Sequence, residues 1–175
     1  MIEMRKVFFS YKAGDEIQVS DLNIEIKAGE FVLLCGKSGC GKTTISKMIN
    51  GLIPHVIDGN YQGKVTIDNK AVREMETFEI AEKVGSIFQN PKTQFFNLDS
   101  DGELSFGLEN MGVEPRLIKA IVQNTINELA IENLKSRNVF ELSGGEKQIL
   151  AVASVYATNP EIYVFDEPSA NIDEC

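Results

Sequence analysis

Gly36-Lys37-Ser38-Gly39-Cys40-Gly41-Lys42-Thr43 is the stretch on which the fold turns. It fits the pattern G-x-x-x-x-G-K-[ST], a glycine-rich loop whose backbone can wrap closely around phosphates. Its setting agrees with the motif. The apolar run at 31–35 reads as a strand, and Ile45, Met48, Ile49 and Leu52 recur at helical spacing over 42–52. Strand, phosphate loop and helix in that order predict a P-loop nucleotide-binding fold. In that loop Gly36, Lys37, Ser38, Gly39, Cys40 and Gly41 would present backbone N–H groups, and Lys42 would reach the outer phosphates. The Thr43 hydroxyl would ligate magnesium, and Thr44 would add a further hydroxyl contact.

Working outward, residues 3–10 and 18–26 read as two antiparallel strands split by the turn-forming Lys12-Ala13-Gly14-Asp15. Beyond the loop, 63–68 reads as a short strand and 84–88 as a buried one stopped by Asn90-Pro91. From 101 to 129 the pattern is helical. Pro115 suits a first turn, and Ile118, Ile121, Val122, Ile126 and Leu129 form one apolar face. Ser143 and Glu146 make a capping-box pattern opening 144–158, which Asn159-Pro160 closes before the apolar strand 162–165. Alternating strands and helices predict an α/β fold with a largely parallel sheet, N-terminal antiparallel strands and a helical subdomain at about 90–158. The expectation is one domain over 1–175.

Composition narrows the function. A formal charge of −9 argues against nucleic acid as a partner, since phosphate-backbone binding needs clustered Lys and Arg. No apolar run approaches the roughly 20 residues needed to cross a bilayer, so any membrane role must come through a partner. Cys35, Cys40 and Cys175 form no CxxC pair and read as reduced thiols.

At the far end, Ile162-Tyr163-Val164-Phe165 runs into Asp166-Glu167. A carboxylate at the end of an apolar strand is where a Walker B aspartate supports magnesium. Asp166 would hold the hydrated ion, and Glu167 would orient and polarise the water attacking the terminal phosphate.

Between these motifs lies Leu142-Ser143-Gly144-Gly145-Glu146-Lys147-Gln148, and with it the whole chain resembles the ABC ATPases, whose signature this is. The resemblance implies ATP sandwiched between two such domains, with Ser143, Gly144 and Gly145 touching the terminal phosphate held by the other one. Two glycines at a helix N-terminus do expose N–H groups to an anion. The resemblance also makes Gln89 the glutamine that senses magnesium and the attacking water, Tyr11 the aromatic that stacks on adenine, and Ser169-Ala170-Asn171-Ile172-Asp173 the loop joining the two sites. The family places a histidine near the terminal phosphate after the acidic strand. The sole histidine here, His55, comes soon after the P-loop helix, so it reads as a surface or packing residue, and the 175 residues read as part of a longer polypeptide.

Gly51-Leu52-Ile53-Pro54-His55 and the run from Phe88-Gln89-Asn90-Pro91 to Glu109-Asn110 most resemble the ATPases of energy-coupling-factor importers for vitamins or transition-metal ions. That implies a second ATPase domain, as a homodimer, heterodimer or tandem half. It also implies a transmembrane coupling subunit, a substrate-binding membrane component and a place on the cytoplasmic face of the membrane. A soluble ABC ATPase acting on ribosomes or DNA, and a regulatory nucleotide-binding module, stand as alternatives.

Overall fold

β1 (Ile2–Tyr11) alternates buried and exposed residues, but its parity changes partway along. Ile2 and Met4 are buried, then Val7 and Phe9. The change sits at Lys6, which has a φ of 48°. Across to β3 (Gly59–Ile67), Arg5 pairs with Lys64 and Phe8 with Gln62, so two residues of β1 oppose Gly63. This is a β-bulge, which absorbs the added residue and so keeps the later side chains on the buried face. The Asn23 side-chain oxygen accepts the Lys6 N–H at 2.9 Å in place of a ladder partner.

The structure, a computed structural model, describes residues 1–12 and 17–168. The turn at 13–15, the joining-loop match at 169–173 and Cys175 lie outside the described residues. The chain gathers into two units, Met1–Val84 and the part from Gly85 onward.

In the first unit, β2 (Ile17–Ile26) pairs antiparallel with β1, as expected, and β4 (Lys70–Ala71) closes a four-stranded sheet of order β2-β1-β3-β4. α1 (Lys42–Ile49) buries Met48 and Ile49. It stops short of the expected residue 52. Gly51 takes a φ of 76°, and a Cβ there would meet Ile80 Cδ1 at 2.5 Å, so the chain turns into the single turn α2 (Leu52–His55). His55 Nε2 lies 2.9 Å from the Val72 carbonyl, the packing role read for it.

One expected element is missing. Residues 31–35 form no strand, and Phe31, Val32 and Leu33 are exposed. An apolar run becomes a strand only where neighbours take up its N–H and C=O groups. The four-stranded sheet ends at β2 and β4 without it.

α3 (Thr77–Lys83) leads into β5 (Val84–Ile87). The second unit packs α4 (Ser100–Asn110), α5 (Pro115–Glu128) and α6 (Gly144–Ala157) around Leu104, Ile126, Leu134, Leu150 and Ala153. Pro115 opens α5 as expected, and of the predicted apolar face Ile118 and Ile126 are buried. The long helical connection brings β6 (Ile162–Phe165) beside β5. The Asp166 N–H donates to the Ile87 carbonyl at 3.0 Å, and the carboxyl ends of the two strands coincide, so they run in parallel.

Candidate nucleotide site

The phosphate loop is shaped by what its glycines allow. Gly41 is the N-cap of α1 with a φ of 94°, and a Cβ there would lie 2.6 Å from the Gln18 carbonyl oxygen. Only glycine fits both constraints. No side chain caps this helix, which leaves its first-turn N–H groups to an anion. Lys42 Nζ donates to the carbonyls of Gly36 and Lys37 at 3.1 and 3.2 Å, so the ammonium is held within its own loop. Cys40 folds its sulfur over Gly36, where a Cβ would meet Sγ at 2.5 Å. Cys35 and Cys40 are free, exposed thiols.

Thr43 is exposed at the start of α1, whereas Thr44 is buried with its Oγ1 3.2 Å from the Tyr11 hydroxyl. Tyr11 stands edge-on to Phe9 at 4.9 Å, with the Lys47 ammonium 5.9 Å from its ring centroid. Both hydroxyls are thus tied to the end of β1.

In the second unit the structure brings Gln89 and Glu167 together. Gln89 follows β5 and Glu167 follows β6, and Gln89 Nε2 donates to Glu167 Oε2 at 2.9 Å. Asp166 is buried at the end of β6, while Glu167 is exposed and takes a φ of 49°. A non-glycine residue held in the left-handed region is strained, and such strain clusters at functional sites. Thr43 in the first unit and Asp166 in the second each carry an oxygen donor of the hard kind that magnesium prefers.

The capping box at α6 forms as expected. Ser143 Oγ accepts the Glu146 N–H at 3.2 Å, and Glu146 Oε2 accepts the Ser143 N–H at 2.8 Å. Arg137 holds the other carboxylate oxygen at 3.0 Å. The backbone bond from Ser143 first, then its side-chain bond and Arg137, keep the Glu146 carboxyl below the usual carboxylate range. The box occupies the N–H groups of Ser143 and Glu146 and leaves those of Gly144 and Gly145, the two at the tip.

Three supporting residues escaped the sequence reading. Gln94 Oε1 accepts the Phe88 N–H at 3.4 Å. Glu103, buried in α4, accepts the N–H groups of Phe96 and Asn97 at 3.0 and 2.9 Å, pinning the loop after Gln89. Lys147, buried in α6, donates to the carbonyls of Phe140 and Leu142. A charged residue buried on an otherwise apolar helix face was the available signal for the last two.

A family model described as ABC transporter matches residues 19–170. A relative from Treponema denticola, provisionally named an ABC transporter ATP-binding protein, is 48% identical over 173 residues, covering 99% of this chain and 35% of that protein. A Methanosarcina mazei protein with the same provisional name is 40% identical over 99% of this chain and 29% of its own length. The chain thus spans about a third of these relatives. Among solved structures, cbiO1 from Clostridium perfringens, described as part of the ABC transporter complex cbiONQ, superimposes with a TM-score of 0.83 at 29% identity over 98% of this chain and 67% of its own. A dimeric cassette, MJ0796, bound to ADP and Pi in a post-hydrolysis state, gives 0.83 at 26% identity over 99% of this chain and 77% of its own.

Proposed function

Because the chain belongs to the ABC transporter family, we propose that it forms the ATP-binding and hydrolysing part of a membrane transporter, an importer of the energy-coupling-factor type for vitamins or transition-metal ions. The bond between Gln89 and Glu167 carries the hydrolytic part of this reading. A glutamine and a carboxylate joined at the carboxyl ends of adjacent parallel strands are suited to orient one water beside the pair, with Glu167 drawing off its proton. Lys42 and the N-terminus of α1 hold the phosphates, with Gly36 to Gly41 as the cradle and Tyr11 beside the base. Thr43, Asp166 and Gln89 are the residues that would hold magnesium, whose charge would offset that of the outer phosphates.

Ser143, Gly144 and Gly145 meet the terminal phosphate in an opposing domain, so the working unit contains two ATPase domains. The MJ0796 cassette, itself dimeric, supports this arrangement. No described helix is long and apolar enough to cross a membrane. A transmembrane coupling subunit and a substrate-binding component would complete the proposed transporter, with this chain at its cytoplasmic face. The likeness to cbiO1 supports the energy-coupling-factor assignment.

The test is a pair of substitutions in the full-length protein. Glu167→Gln is expected to retain ATP binding and to lower turnover by about 100-fold or more, the range for loss of a general base. Lys42→Ala is expected to weaken ATP binding instead, because it removes the cation from the loop. Near-normal turnover by the glutamine variant would remove Glu167 from the catalytic role, and unchanged ATP affinity in the alanine variant would move the phosphates elsewhere.

A further inference from the structure

Lys147 occupies a place that electrostatics disfavours twice. It is buried, with 8% of its surface exposed, and no carboxylate pairs with it among the described residues. Lysine is almost never buried unpaired. It also lies in the first turn or so of α6, where the positive end of the helix dipole opposes a cation. What holds it are two carbonyl oxygens, Phe140 at 3.1 Å and Leu142 at 2.5 Å. Both belong to the chain entering Ser143. With these carbonyls drawn inward by the ammonium, and the Ser143 N–H taken by Glu146, the entry to α6 is fixed from both sides. The N–H groups of Gly144 and Gly145 are then the donors that remain at the tip.

We propose that Lys147 is a positioning residue for the signature loop: through the Phe140 and Leu142 carbonyls it presets Gly144 and Gly145 to receive the terminal phosphate of ATP bound in the opposing domain. The proposal rests on the opposing-domain reading given above. A phosphate arriving at this helix end would bring negative charge to the same end as the buried cation and offset part of the cost of burying it.

The experiment compares ATP with ADP in the full-length protein, because ADP lacks the phosphate that the signature loop would meet. Binding is followed with fluorescent analogues of each nucleotide, and folding by urea denaturation. Wild type should hold ATP more tightly than ADP, and Gly144→Glu should abolish the difference. If it does not, the opposing-domain reading falls and the proposal with it. Once that holds, Lys147→Met should leave ADP affinity within about twofold and weaken ATP binding about tenfold, the scale of a lost charge-assisted bond. Lys147→Arg should restore ATP binding to within about threefold of wild type. An unchanged ATP-to-ADP ratio in the methionine variant overturns the proposal. So does an equal loss for both nucleotides accompanied by lowered stability, which marks a merely structural lysine.

Discussion

A methyl group at Gly41 would strike the Gln18 carbonyl, while one at Gly39 would meet nothing within 4 Å, although both glycines have positive φ. The two positions separate backbone strain from steric exclusion. Gly39→Ala is expected to cost about 1 to 2 kcal/mol, the strain of a left-handed L-residue. Gly41→Ala adds a backbone clash at the junction of α1 with β2, so it should lose clearly more stability and weaken ATP binding further. Urea denaturation and nucleotide titration of both variants check this, and equal losses would show that the contact with Gln18 relaxes freely. Single residues were also where the sequence spoke most clearly. Glycine spacing, the Asp166-Glu167 pair and the Ser143/Glu146 box are local patterns. Gln94, Glu103 and Lys147 act through partners that no local pattern names.

Elements were legible where their own periodicity set them, as in α5 and α6, and illegible where neighbours decide. The run at 31–35 has the composition of a strand, but hydrogen bonding across strands is a property of the pair. Gly51 ended α1 early because Ile80, nearly thirty positions on, leaves no room for a side chain there. The start of α6 carries its own pH dependence. Glu146 has its carboxyl held below the usual range, from an ordinary value of 4.5, by Ser143 and Arg137. Its contribution to stability is therefore present above pH 4.5 and is lost as pH falls through the lowered folded value. Glu146→Gln should be less stable than wild type at pH 7, with the gap closing in acid below the ordinary value. Ser143→Ala should cost about 1 kcal/mol, the usual worth of an N-cap. A gap between wild type and the glutamine variant that persists unchanged at low pH would remove the carboxylate from this role.

At the scale of the whole molecule, the surface after Gln89 matters most for the transporter reading. Phe95 packs against the core of the helical unit, whereas Phe96 is 74% exposed and stacks on Phe106 at 4.9 Å, with Leu98 also exposed. Glu103 fixes the backbone under Phe96, so this apolar patch is held in place by a buried carboxylate. On the proposed transporter reading, exposed aromatics held in this way would form the docking surface for an apolar partner helix. Phe96→Asp is expected to abolish association with the membrane subunit, since an unpaired charge buried in an interface costs several kcal/mol by order of magnitude. ATP binding should remain. Co-purification from membranes reads the outcome, and normal assembly would place the coupling surface elsewhere. The apolar residues of this stretch were visible in the sequence. Which of them face outward was not, because Phe95 and Phe96 differ only in what lies behind them.

The bulge at Lys6 lets β1 carry one residue more than its alternation allows. Upstream of it the buried positions are even-numbered, and downstream they are odd-numbered. Without Lys6, Ile2, Met4, Val7 and Phe9 would follow one another at the strict spacing of two that a regular strand needs, so the bulge accommodates a residue for which the alternation has no place. Were the residue kept and the strand made regular, either Ile2 and Met4 or Val7 and Phe9 would turn to water. The first strand therefore keeps one buried face through the kink at this position and not through unbroken alternation. Tyr11, four residues beyond the buried Val7 and in phase with it, owes its place beside Thr44 to that kink.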